Sequence, residues 1–339
     1  MVGNVVSVTI KDIAKRLNIS PSTVSRALRD HPDISPETKK KVIELAEKLE
    51  YRPNVIARSL QTKKTNLIGI IVPEIKHHFF SAAISGIEEV AYKEGYAIIV
   101  AKSNEDFRRE EMNINVFVEN RVAGMLISIS ETTVDKEPFH MLKRMGVPVV
   151  FFDRVIEDMD FPKVVVDDYN GAFKAVEYLI KTGYRKIAHL AGPKFLSISK
   201  LRLQGYIDAL KKYGIDPDEC GIIHGGLHEE DGAIGFHRLI NSFPDVEAIF
   251  AVNDPVAIGA CMEIKKLGYK IPDDIAIVGF SNNPISSMIE PALTTIEQPA
   301  YDVGKTAANM LIDLIRNRGR EIKPRTIVLR TKLIVRDSA

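Results

Sequence analysis

Two doubly wound α/β lobes preceded by a small all-α head are the fold class this sequence predicts. Three observations carry that expectation. Between residues 67 and 280, short β-branched runs alternate with amphipathic helical stretches, and the rhythm repeats twice. The apolar runs are continuous rather than alternating, as in parallel strands covered on both faces. Ahead of them lies TIKDIAKRLNISPSTVSRAL (residues 9–28), which reads as two short helices joined by a tight turn.

The head comes first. Thr9 can cap the first helix, and Ile10, Ile13, Ala14 and Leu17 share one face of it. Asn18 suits a left-handed turn. Ser20 caps the second helix, and Pro21 takes its first position, where a missing N–H does no harm. Val24, Ala27 and Leu28 turn back toward the first helix. Ser22, Thr23, Ser25, Arg26 and Arg29 are left outward. Short polar and guanidinium groups on that ridge suit the major groove of DNA better than bulk solvent. Ser35-Pro36-Glu37 opens a third helix, with Val42, Ile43, Leu45, Ala46 and Leu49 as its buried stripe. Residues 1–53 therefore make a helix-turn-helix DNA-binding domain. Pro53 stops the third helix, and Asn54 can cap a fourth that runs to about Leu60. That helix falls short of the ~12–15 residues that persist alone in water, so residues 54–65 read as a hinge that needs a partner.

In the body, strands are expected at 67–73, 96–103, 124–130, 147–154 and 164–167, then at 186–192, 221–225, 248–253 and 275–280. Helices near 79–94, 108–120, 138–145, 170–182, 200–213, 229–242 and 255–267 separate them. Lobe 1 is expected to hold 66–167 with about 295–325, and lobe 2 to hold 168–294 with about 326–339. Ligands of such folds lie beyond the carboxyl ends of the strands, in the cleft between facing lobes.

Charge supports the division. The first 65 residues carry 13 Lys/Arg against 7 Asp/Glu, whereas the whole chain is balanced at 46 against 45. A basic head on a mildly acidic body favours phosphate contact at one end. No apolar run reaches the ~20 residues needed to cross a bilayer, and no basic-then-apolar leader opens the chain, so no membrane partner and a cytoplasmic location are expected. Cys220 and Cys261 have neither metal nor redox spacing and are expected reduced and buried. There is no Walker loop, HExxH or nucleophile elbow. The eight histidines are scattered, and His77-His78 is an adjacent pair rather than an i,i+4 pair. No catalytic residue, cofactor or metal ligand set is expected.

These features resemble the lactose- and purine-repressor (LacI/GalR-type) family of bacterial transcription regulators. In the head the likeness rests on residues 9–28 and on ISPETKKKVIELAEKLEYRPNVIARSL. In the body it rests on AVNDPVAIGA, DIAIVGF and PALTTIEQP. It covers the chain from about Val8 to Asp337. The resemblance implies a periplasmic-binding-protein-like body and a homodimer on a palindromic operator. It implies a repressor-type regulator whose DNA affinity is tuned by a small molecule between the lobes. No heptad tail suggests a tetramer.

The same resemblance assigns residues. Ser20, Pro21, Ser22 and Arg26 stand where the family reads bases, with Arg26 suited to a guanine. Thr9, Thr23, Ser25 and Arg29, with Asn54 and Arg58, would touch backbone or complete the interface. Residues 54–60 look like the family's hinge helix, with Ala57 facing DNA and Leu60 either wedged into the minor groove or packed on its own body. For the effector, Phe79 and Phe80 either stack on ligand or fill the core. Arg202 matches an arginine that holds sugar hydroxyls or a carboxylate. Asn253 faces ligand, and Asp254 either joins it or caps a helix. Asp153 and Asp167 contact ligand or cap. After IAIVGF many relatives carry an Asp, but this chain has Ser281-Asn282-Asn283. That change puts the carboxylate contact in doubt and leaves Ser281 there. A saccharide is the expected effector, with a purine or a phosphorylated sugar as alternatives. A transporter's solute-binding protein would share the body but not the head, an enzyme would need a motif the chain lacks, and a protein corepressor stays open.

Overall fold

The computed structural model describes residues 8–28, 30–49, 51, 65–320 and 323–339. The chain divides into two compact units, 1–65 and 66–339.

The first unit holds α1 (Ile10–Leu17), α2 (Pro21–Ala27) and α3 (Pro36–Lys48). Ile13, Ala14, Val24, Ala27, Val42 and Ala46 form its core. Asn18 sits at φ 52°, in the left-handed turn its type favours. Ser20 and Ser35 cap α2 and α3 by accepting the N–H of Thr23 (3.1 Å) and Thr38 (3.3 Å). At α1 the cap works in reverse: the N–H and hydroxyl of Thr9 both donate to Asp12 Oδ2, at 2.8 and 2.7 Å. Ile43 does not join the buried stripe. It is 44% exposed, because one step from Val42 turns a side chain by about 100° around the helix. Arg29 lies outside the described residues, as do Asn54, Ala57, Arg58 and Leu60 with the whole expected hinge.

The second unit contains two six-stranded sheets. The first has the order β11-β5-β4-β3-β1-β2 and is parallel throughout. Its strands are β1 (Leu67–Val72), β2 (Ala97–Lys102), β3 (Gly124–Ile127), β4 (Val149–Phe152), β5 (Lys163–Val166) and β11 (Thr326–Leu329). The second has the order β12-β10-β9-β8-β6-β7, with β12 alone antiparallel. Its strands are β6 (Ile187–Ala191), β7 (Ile222–His224), β8 (Ala248–Ala251), β9 (Ala276–Ser281), β10 (Thr294–Glu297) and β12 (Lys332–Ile334). Apolar runs are continuous because both faces are covered. Ile70 packs in one core and its neighbour Ile71 in the core on the other face.

Helices α4 (His78–Lys93), α5 (Phe107–Glu119), α6 (Glu137–Arg144) and α11 (Ala300–Arg316) belong to the first lobe. Helices α7 (Asp168–Lys181), α8 (Ser197–Lys212), α9 (Glu229–Ser242) and α10 (Asp254–Lys266) belong to the second. The chain crosses between lobes three times, after β5, between β10 and α11, and between β11 and β12. The expected lobe limits therefore shift at two places. Residues 295–297, with Thr294, pair in the second sheet rather than the first, and 326–329 pair in the first, not the second. A strand's own pattern does not encode which sheet edge it joins.

Candidate DNA-binding ridge and ligand cleft

In the head, α2 presents an exposed polar edge. Ser20, Pro21, Ser22 and Arg26 are exposed, and Thr23 and Ser25 half-buried. The Ser20 hydroxyl lies 2.7 Å from Ser22 Oγ and 2.8 Å from Thr23 Oγ1, so the cap also aligns two neighbouring hydroxyls. Buried Val24 and Ala27 fix the helix's rotation and so aim Arg26 outward.

In the body, a cavity of about 600 Å³ lies where the two sheets' carboxyl ends meet. That volume suits a small organic molecule. Its walls include Phe79, Phe80, Asp153, Arg202, Asn253 and Ser281, six of the eight residues expected there.

Asp153 follows β4 and adopts φ 60°, a left-handed conformation that Asp tolerates better than most. Its carboxyl is buried, and burial pushes its pKa up to about 6; Asp168 adds to the rise, whereas Arg154 and Arg202 oppose it. Arg154, beside it, grips Glu105 through one nitrogen to both carboxylate oxygens, at 2.7 and 2.8 Å. Arg202 is 2% exposed. Its Nε donates to Asp168 Oδ1 at 2.8 Å, and a terminal nitrogen donates to Val252 O at 2.7 Å. Its guanidinium carbon rests 3.8 Å from the Phe280 ring centre. The other terminal nitrogen lies 2.7 Å from Asp168 Oδ1 as well, so an acid, a carbonyl and an aromatic face hold the planar fork fixed at the cavity wall. Phe80 is buried in the first lobe's core and meets Phe79 edge-on at 5.4 Å, so the pair is core below and wall above.

Two expected residues are elsewhere. Asp167 caps α7, its Oδ1 accepting the Asn170 N–H at 3.2 Å, and does not line the cavity. The next residue, Asp168, holds Arg202 instead. Asp254 is fully buried, and its carboxylate accepts from Asn283 N–H (2.7 Å), Ser286 Oγ (2.7 Å) and Thr295 Oγ1 (2.5 Å). These three internal donors engage both of its oxygens. It pins the 282–287 loop to β10. Gly279 makes room for it: a Cβ there would lie 2.3 Å from Asp254 Oδ1. Asn253, not Asp254, is the cap of α10, accepting the Val256 N–H at 2.9 Å.

Several wall residues escaped the pattern. Asn282 donates to Glu297 Oε1 (3.1 Å) and accepts from Arg336 (2.7 Å). All three line the cavity, as do Arg154, Gln298 and Asp302. Only the doubled acids at 167–168 offered a local signal for Asp168. The structure also gathers Glu74, His77 and His228, which no local spacing joins. Both cysteines are free and buried, and among the described residues no helix is long and apolar enough to cross a membrane.

Comparison with known proteins adds the following. The profile of bacterial regulatory proteins of the lacI family matches residues 9–54, and that of the periplasmic binding protein-like domain matches 176–339. The repressor CytR of Escherichia coli is 32% identical over 330 residues, covering 97% of this chain and 96% of that protein. The Lac repressor dimer bound to operator and the anti-inducer ONPF aligns with a TM-score of 0.85 at 26% identity, over 98% of this chain and 99% of the other. The regulator CelR in complex with cellobiose aligns with a TM-score of 0.76 at 27% identity, over 98% of this chain and 100% of that one.

Proposed function

The chain belongs to the lacI family of bacterial regulatory proteins, and from that premise we propose how its residues divide the work of a ligand-controlled repressor. It is a DNA-binding transcriptional regulator, not an enzyme, and works as a dimer on operator DNA under the control of a small molecule held by its body. The same reading puts it in the cytoplasm, beside its DNA.

In this proposal residues 1–53 form the DNA-reading domain and 54–65 the linker. Ser20, Pro21, Ser22 and Arg26 face base edges, and Thr9, Thr23 and Ser25 set the register on the backbone. The effector is a saccharide. The observation that carries this is Asp153, a buried carboxylate on the wall of a cavity shared with Arg202 and Phe79. Carboxylate and guanidinium accept from and donate to vicinal hydroxyls, and an aromatic face covers the apolar side of a sugar ring. A purine would not need the carboxylate as an acceptor for several hydroxyls.

The test is a DNA titration at two salt concentrations, with and without a panel of mono- and disaccharides. Steep loss of affinity between 50 and 200 mM salt, of order 10³-fold for six phosphate contacts, marks the head as DNA-binding. One saccharide that shifts operator affinity supports the effector class. A response to purines alone would remove it.

A further inference from the structure

Glu74, His77 and His228 each offer one ligand-type atom, and these atoms lie within 4.8 Å of one another. Glu74 and His77 come from the loop between β1 and α4 in the first lobe, and His228 immediately precedes α9 in the second. His77 Nε2 lies 3.4 Å from Glu74 Oε2. The two imidazole rings stack across the lobe boundary, with centroids 5.4 Å apart and planes 15° apart. Two polar atoms in this cluster are buried and lack a well-formed hydrogen bond, Glu74 Oε2 and His228 Nδ1, although the Asp231 N–H faces the His228 side chain at the start of α9. Lys76 Nζ approaches Glu74 Oε2 at 3.3 Å, but its side chain is 62% exposed and free to swing into water. Buried polar atoms left unmatched are rare and call for an explanation.

We propose that Glu74, His77 and His228 form a binding site for a divalent transition-metal ion of the zinc class, tying the two lobes together at the rim of the cleft. Two imidazoles and one carboxylate are the donor set of an open three-ligand zinc site, with water in the fourth position. With metal–nitrogen bonds of 2.0–2.1 Å and tetrahedral angles, ligand atoms stand about 3.4 Å apart; Glu74 and His77 already match that spacing, and the other ligand atoms, within 4.8 Å, reach it by rotation of the side chains. Both histidines sit at helix N-termini, whose dipoles repel a cation. The Glu74 carboxylate offsets the dipoles' repulsion of a bound cation. An ion held by both lobes binds best at this lobe spacing, so it stabilises that spacing and acts by linkage on whatever else the spacing controls.

The experiment titrates the full chain, freed of metal by chelation, with zinc chloride by calorimetry and with cobalt chloride by visible absorption. The expected result is one ion per chain and the intense visible bands of four-coordinate cobalt. His77→Gln, His228→Gln and Glu74→Gln should each weaken binding at least about tenfold. His140→Gln, an exposed histidine away from the cluster, should not. Thermal unfolding with chelator should be alike in all variants, and zinc should raise the midpoints of the wild type and His140→Gln but not those of the three cluster variants. Wild-type zinc affinity in His228→Gln would mean that one lobe suffices, and would overturn the bridging site. No saccharide enters the assay, so its outcome is independent of the effector assignment.

Discussion

Asp153→Asn should stabilise the unliganded protein at neutral pH far more than at acid pH. The carboxyl of Asp153 is buried and titrates at about 6 rather than at its ordinary 3.8, because burial penalises the ionised form. The folded state therefore binds a proton more tightly than the unfolded chain. Stability from this group is fully present below pH 3.8 and is lost as pH rises through about 6. A shift of about two units at 1.36 kcal/mol each makes the ionised carboxylate cost about 3 kcal/mol at pH 7.5, but only about 1 kcal/mol at pH 4.5. Asparagine cannot ionise and escapes that cost. It also tolerates the φ of 60°, a gain that does not depend on pH. Urea unfolding of both proteins at pH 4.5 and 7.5 should show the advantage of the Asp153→Asn variant over the wild type growing by about 2 kcal/mol between the two. A difference constant within about 0.5 kcal/mol would mean that Asp153 is solvated in solution, and the reasoning fails. The same variant should bind its saccharide at least tenfold more weakly, because an amide replaces two acceptor oxygens with one.

Arg202→Ala leaves Asp168 buried without its cation and should cost about 3–5 kcal/mol in urea unfolding, with part recovered by adding Asp168→Asn. The double variant should keep operator affinity and lose the saccharide response in a DNA-binding assay; a normal response would move the effector site elsewhere. Arg26→Ala should relax preference at one base position by about 1–3 kcal/mol in a binding-site selection, whereas a uniform loss over all sequences would make it a phosphate contact. Gly279→Ala drives a methyl to 2.3 Å from Asp254 Oδ1 and should cost about 1–3 kcal/mol, read as a lowered thermal midpoint.

Local chemistry announced most of the fold. Caps and turn residues placed α1 to α3, and the continuous apolar runs placed nine strands, because helix ends and doubly covered strands have signatures within a few residues of themselves. Membership of a sheet is not such a property. Thr294–Glu297 and Thr326–Leu329 look alike as isolated strands, and only pairing with β9 and β5 assigns them to opposite lobes. The cleft shows the same limit. Asp167 and Asp168 are adjacent acids at a helix start, yet the step around the first turn sends one to a cap and the other to Arg202. Asp254 looked able to serve a ligand, but its three donors come from 29 to 41 residues away, beyond any local pattern.

Under the proposed function, the buried acids of the body divide into two kinds. Asp254 and Asp168 are buried with partners, and each acts as a fixed strut. Asp153 is buried with cost, on the cavity wall, and none of the hydrogen bonds described above reaches its carboxylate. A ligand whose hydroxyls donate to that carboxylate relieves the cost only where the lobes hold both against each other. It thereby prefers one lobe arrangement over another, and differential affinity of that kind is what lets a ligand shift a conformational equilibrium. Under the proposed function, the three short crossovers at residues 167, 298–299 and 330–331 are the chain segments about which the lobe angle would change when a ligand relieves Asp153.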